Sequence, residues 1–208
     1  MSILSGMGFM LYPLPASKQL PLPTATHADM LMFYDGSLLL SEDYFNENST
    51  LFADVIPTKE KLGGKYPCDI LFNCFVIDNI LFGKIDALSD KIKNKYENRV
   101  NLKQGYAKCS SLILGNAVIT ADTNIYNKVT QSGFEALKIS GGNILLPGYD
   151  CGFIGGASAV LDNTVFFFGD ITKHPDYAKI KDFISSRGLS LCYDKSYPLT
   201  DFGGAVIT

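Results

Sequence analysis

Four stretches of this 208-residue chain share one plan, an apolar run, a tight polar turn and a second apolar run: LMFYDGSLLL, FVIDNILF, LILGNAVIT and AVLDNTVFFF. Their turns fall at Asp35-Gly36, Asp78-Asn79, Gly115-Asn116 and Asp162-Asn163. Such dipeptides accept the positive φ angles of a two-residue hairpin, so each stretch reads as a pair of antiparallel strands. The turns recur at spacings of 43, 37 and 47 residues. A period of this size marks a repeated supersecondary unit whose copies bury one another's apolar faces.

Each of the last three hairpins leads into a segment with helical character. Apolar residues at 85, 88, 92 and 96 form one stripe of a helix between Ile85 and Tyr96. Asp122 is placed to cap a helix running to about Ser132, which Gly133 stops. Thr172 is placed to cap a third, with Pro175 in its first turn, Tyr177, Ile180, Phe183 and Ile184 on its buried face and Gly188 at its end. Short strands follow in FEALKIS and LSLCY, so the unit is ββαβ.

Special junctions lead into successive units: KQGYAKCSS (103 to 111), GYDCGFIGGAS (148 to 158) and PLTDFGGAVIT (198 to 208), with ATHADML in the same place before the first hairpin. The last junction is followed by one strand only, GGAVIT, and the N-terminal MGFMLY is its expected partner, a pairing that closes a ring. The whole chain reads as one domain, residues 1 to 208, with the proline-interrupted segment 1 to 26 packing on or closing that ring.

Composition narrows the function. With 47% hydrophobic and 19% charged residues the chain supports a sizeable core. A net charge of −3 argues against nucleic acid as partner, because phosphates are neutralised by excess Lys and Arg. The N-terminus lacks the charged front and unbroken apolar core of a signal peptide, and no run reaches membrane-spanning length. Five cysteines in no paired spacing and two histidines suggest a reduced, cytoplasmic protein without a metal site or other cofactor. The expected partner is a small polar molecule, and the apolar N-terminal tail is compatible with a homo-oligomer.

Several ββαβ units around a closed ring, with glycine pairs leading into hairpins, resemble the pentein fold of the guanidine-modifying enzymes, an α/β propeller about a pseudo-fivefold axis. FIGGASAVLDNTVFFFGDITKHPDYAKIKDFISSRGLSLCY is the most similar stretch, and KQGYAKCS and GFIGGAS resemble a small uncharacterised family of that fold. The resemblance implies a cysteine nucleophile acting on a guanidine or amidine carbon, a histidine that moves protons, and carboxylates that hold a cationic substrate. Ala157 stands where the acid after the glycine pair is expected, and Val206 or a neighbour stands where the nucleophile is expected. Those two departures leave open a displaced active site, a hydrolase or transferase working through another cysteine, or an inactive pentein that binds a small polar ligand.

Convergence of the junctions gathers residues distant in sequence. Cys109 is the nucleophile candidate, with Lys108 and Lys103 near enough in sequence to oppose a thiolate's charge, although a buried inert cysteine is the alternative. His27 is the candidate base, with a hydrogen-bonded structural histidine as the alternative, and Asp29, two residues on, either orients it or binds a cation. Lys103, Tyr106, Lys108, Tyr149, Asp150 and Ser158 form the candidate ligand-binding set, the tyrosines walling a flat ligand and Asp150 supplying the carboxylate absent at Ala157. His174 reads as structural. GYDCGFIGGAS lacks both nucleotide-binding glycine patterns and feeds a strand, so its glycines read as conformational.

Overall fold

Left-handed backbone at the hairpin tips sets the register of every unit. In the computed structural model, which describes residues 2–6, 8–52, 55 and 57–207, Asp78 (φ 47°), Asn79 (φ 63°), Gly115 (φ 62°) and Asp162 (φ 49°) take up the positive φ expected of their turns. The first turn is one residue longer, with Gly36 at φ 94° and the Ser37 hydroxyl donating to Asp35 Oδ1 at 3.2 Å.

The order of elements is α1 (Ser2–Gly6), α2 (Ala28–Leu31), β1 (Met32–Tyr34), β2 (Leu38–Leu40), α3 (Glu42–Glu47), β3 (Cys74–Ile77), β4 (Ile80–Gly83), α4 (Asp90–Lys95), β5 (Asn98–Asn101), β6 (Ser111–Leu114), β7 (Ala117–Thr120), α5 (Thr123–Gln131), β8 (Glu135–Lys138), β9 (Ser158–Leu161), β10 (Thr164–Phe167), α6 (Tyr177–Ser185) and β11 (Ser190–Tyr193). Three sheets repeat one topology, β3-β4-β5, β6-β7-β8 and β9-β10-β11. The second hairpin strand is central, antiparallel to the first and parallel to the strand after the helix. The first unit is reduced to β1-β2 and α3, with a single parallel bridge, Ser41 to Thr58, where a third strand would lie. This is a mixed α/β fold of repeated ββαβ units.

Cores form between successive units. Leu88 and Ile92 of the second unit pack with Leu31, Leu40 and Tyr44 of the first, while Ile125 and Val129, one face of α5, pack on Phe75 and Phe82 of the second. Ile180 and Ile184 of α6 join Leu112 and Ile119 of the third unit. Leu4, Phe9 and Leu11 pack against Ala159, Leu161 and Phe166 of the fourth. Each buried Leu, Ile or Phe contributes roughly 1.5–3 kcal/mol, and here that gain needs the neighbouring unit.

Three sequence expectations are corrected. Ile85 to Tyr96 is not one helix: a 3-10 turn at Ile85–Ala87 precedes α4, which Ser89 caps by accepting from Lys91 N at 3.3 Å. Thr172 caps nothing; it lies in a 3-10 turn, and Asp170 accepts its N–H at 3.1 Å, while α6 starts after Asp176. No strand forms over residues 8–12 or 201–207, so the expected closing pair is absent there; Met7 and Thr208 lie outside the described residues. Instead the C-terminal segment runs between two units. Gly203 O accepts from Asp29 N at 3.0 Å, and Gly204 N donates to Gly156 O at 2.8 Å.

Candidate functional site

Close backbone approach assembles the site before any side chain enters it. Gly156 packs so tightly that a methyl group there would overlap the Asp201 carboxylate, and one on Gly155 would meet the carbonyls of Lys108, Cys109 and Ser111. Gly203 (φ 80°) lies against His27 in the same way. These glycines bring the entry to the fourth hairpin and the C-terminal segment against the entries to the first and third.

The entry to the second hairpin supplies a residue that sequence reasoning missed. Asn73 is wholly buried, accepts from Lys108 N at 2.8 Å and Cys109 N at 3.3 Å, and donates to Asp29 O at 2.9 Å. Its Nδ2 also stands 2.9 Å from Cys109 Sγ. One amide therefore ties three hairpin entries together.

Around this knot lie five segments: the first strands of the four hairpins and residues 203–207. They enclose a cavity of about 380 Å³. Its floor carries Asp29 and Lys108 beside Gly155 and Gly203, and its walls include Phe33, Phe75, Ile113, Val160 and Val206. Burial eases toward the hairpin tips, where Tyr34 and Ile207 are exposed, so the cavity opens on that side.

Electrostatics concentrate at the floor. Asp29 is 5% exposed, and neither of its carboxylate oxygens has a hydrogen-bond partner among the described residues. Burial, and then the Asp201 carboxylate, push it up to about 7; the Cys109 thiol and the Lys108 amine favour the ionised form but only in part. Asp201 is also pushed up by burial, against the hydrogen bonds it accepts from Phe153 N at 2.8 Å and Gly203 N at 2.9 Å. His27 Nδ1 lies 3.8 Å from Asp201 Oδ1 and 3.9 Å from Asp29 Oδ1. Burial lowers its pKa, with Asp201 and the Pro23 carbonyl opposing. Lys108 is lowered by burial, against the field of Asp29.

Cys109 is buried behind the floor, with Met30 Sδ 3.9 Å from its sulfur. Burial, Asp29 and Asp201 raise its pKa well above the usual thiol value, so it is a thiol at neutral pH. The structure thus gathers His27, Asp29, Lys108, Cys109 and Asp201, and sets Ser158 in the cavity lining with its hydroxyl donating to Ile154 O at 2.7 Å. The remaining candidates stand apart. Lys103 and Tyr149 are exposed; Tyr106 donates to Asp69 Oδ2 at 2.8 Å; Asp150 borders a separate cavity of about 320 Å³ with Lys173 and His174. His174 Nδ1 accepts from Asp176 N at 3.1 Å. Among the described residues no cluster of three or more His, Cys, Asp or Glu is placed to hold a metal ion, and no helix is long and apolar enough to cross a membrane.

A family model matches residues 1–206, and the chain belongs to that family, a family of unknown function (DUF6873). No curated protein matches the chain. Among solved structures it is similar to DDAH from Pseudomonas aeruginosa, a cysteine-to-serine variant complexed with citrulline, at 11% identity and a TM-score of 0.49 over 82% of this chain and 69% of that one. It is also similar to a dimethylarginine dimethylaminohydrolase adduct with 4-chloro-2-hydroxymethylpyridine, at 12% identity and a TM-score of 0.48 over 81% and 70%.

Proposed function

We propose that the protein is a pentein-like ring whose axial cavity binds a small polar ligand, with Asp29 as the anchor for a cationic or N–H donor group of the ligand. One observation carries this reading: Asp29 lines a cavity that opens to solvent, and among the described residues neither oxygen of its buried carboxylate accepts a hydrogen bond. A buried polar group left unpaired costs about 1–3 kcal/mol, more for a charge, and a ligand donor removes that cost. Guanidine, amidine and ammonium groups all supply such donors. Lys108 and Ser158, which share the cavity lining, complete the contact set. The test is a thermal-shift panel of small guanidines, amidines and amines run on the wild type and on Asp29→Asn. A ligand that raises the melting temperature of the wild type alone supports the reading. Equal shifts in both proteins, or no ligand at all, overturn it.

A second reading is hydrolase or transferase chemistry through Cys109, with His27 as base and Asp29 orienting it. The gathering of these three residues with Asp201 at one point supports it. It requires the Cys109 thiol to lose its proton and reach the cavity, so turnover of any panel ligand that disappears in Cys109→Ser sustains it, and binding without conversion removes it.

A further inference from the structure

The cavity floor holds a base as well as an acid, and the two do not satisfy one another. Lys108 makes no side-chain hydrogen bond and no ion pair among the described residues, yet its amine and Asp29 feel each other's charge. Asp29 accepts no hydrogen bond among the described residues, and the imidazole 3.9 Å away, His27, is itself held toward its neutral form by burial. Asp29 is buried and Lys108 half-buried, and an acid and a base on one cavity floor normally pair. Both line the cavity, and among the described residues no ion pair joins them. Above this floor the walls change character, with Phe33, Phe75, Ile113, Val160 and Val206 offering apolar surface and no second buried charge. The charged groups nearer the mouth are already engaged: Asp35 pairs with Lys95 at 2.7 Å and accepts from the Tyr96 hydroxyl at 2.5 Å. The volume of about 380 Å³ lies at the small end of ligand pockets, which run from about 300 to 1,000 Å³.

We infer that the ligand is a zwitterion of α-amino-acid type with an uncharged apolar side chain, its ammonium on Asp29, its carboxylate on Lys108 and its side chain along the apolar walls. This rests on the axial cavity being the binding site and adds the identity of the ligand class. A second cation in the side chain would be stranded against Phe and Val without a partner. Selectivity should therefore favour leucine-like over arginine-like molecules.

Four probes decide the matter by calorimetric titration of the full chain: L-leucine, 3-methylbutylamine, 4-methylpentanoate and L-arginine. L-Leucine should bind roughly tenfold or more tightly than either single-charge analogue, since each removes one charge-assisted contact, and more tightly than L-arginine. In Lys108→Met the advantage of L-leucine over the amine should vanish while binding of the amine persists. Because the four-way comparison in the wild type needs no variant, a folding defect in Lys108→Met leaves the test intact. Amine binding as tight as that of L-leucine overturns the zwitterion and spares the cavity. Failure of all four overturns it too, and a guanidine or amidine whose binding Asp29→Asn abolishes would then sustain the anchor alone.

Discussion

The Asn73 side chain accepts a hydrogen bond from the backbone N–H of Lys108 at 2.8 Å, joining the second hairpin's entry to the third's. The same amide donates to Asp29 O, so the anchor carboxylate of the first unit is placed by a residue of the second. Removing it takes the side-chain partner from three backbone groups, one in the first unit and two in the third. Asn73→Ala is therefore expected to cost on the order of 3 kcal/mol, from about 1–3 kcal/mol per buried group left unsatisfied. Urea unfolding measures this, and a loss below about 1 kcal/mol would show that the entries hold together without the amide.

Glycine at the hairpin entries answers to space, and two substitutions separate space from propensity. Gly156→Ala places a methyl on the Asp201 carboxylate and is expected to destabilise by about 2 kcal/mol or more, as overpacking does. Gly141→Ala meets nothing nearer than Ala121 Cβ at 3.8 Å and should be neutral within about 0.5 kcal/mol. Thermal melts of the pair, run together, check the contrast.

The contribution of Asp29 to stability should fall as pH rises from about 4 to about 7. Asp29 has an ordinary value of 3.8 and is pushed up to about 7 in the fold, so within that window the folded chain keeps a proton that the unfolded chain has released. The slope from this one group is at most roughly 1.4 kcal/mol per pH unit. Asp201, also raised, acts in the same direction. His27 acts oppositely, because its lowered pKa makes the unfolded state bind the extra proton below about 6.5. The difference between wild type and Asp29→Asn isolates the one group: the variant should be the more stable above pH 7 and equal to the wild type near pH 4. Parallel profiles would mean that Asp29 is solvated.

Thiol chemistry should follow burial. Cys68 is exposed, whereas Cys74 and Cys109 are buried and both raised in pKa by that burial. Under native conditions iodoacetamide should modify Cys68 first and reach Cys109 only on the timescale of unfolding. Peptide mapping by mass spectrometry follows both. Rapid, selective modification of Cys109 would show that its thiolate is populated and would favour the catalytic reading.

What the sequence disclosed was what local chemistry specifies. Asp78-Asn79 and Asp162-Asn163 announce hairpins because few dipeptides accept that backbone, and Asp122 caps α5 as its position implies, accepting from Ile125 N at 2.8 Å. The junction pattern pointed to His27, Asp29 and Cys109 as neighbours, and it pointed equally to Lys103 and Tyr149, which are exposed. Asn73 was not, since FNC carries none of the glycines that marked other junctions, and its role depends on three partners from other units. Strand β5, NRVN, was missed because three of its four residues face solvent and it is held by its parallel partner rather than by an apolar face. The closing pair failed for a related reason: residues 203–207 bond across to Asp29 and Gly156, so the segment is held by neighbouring entries and requires no strand of its own.

The central claim is that ligand sits in the cavity lined by Asp29 and Lys108, and methyl NMR tests it most directly. The panel member that most raises the melting temperature is titrated into protein labelled at Ile, Leu and Val methyls. Val76, Ile113, Val160 and Val206, from four different segments of the lining, should shift together and saturate at one concentration while Ile180 and Ile184 in the core beneath α6 stay still. Shifts centred instead on Leu145 and Leu199, which line the separate cavity beside His174, would contradict the account.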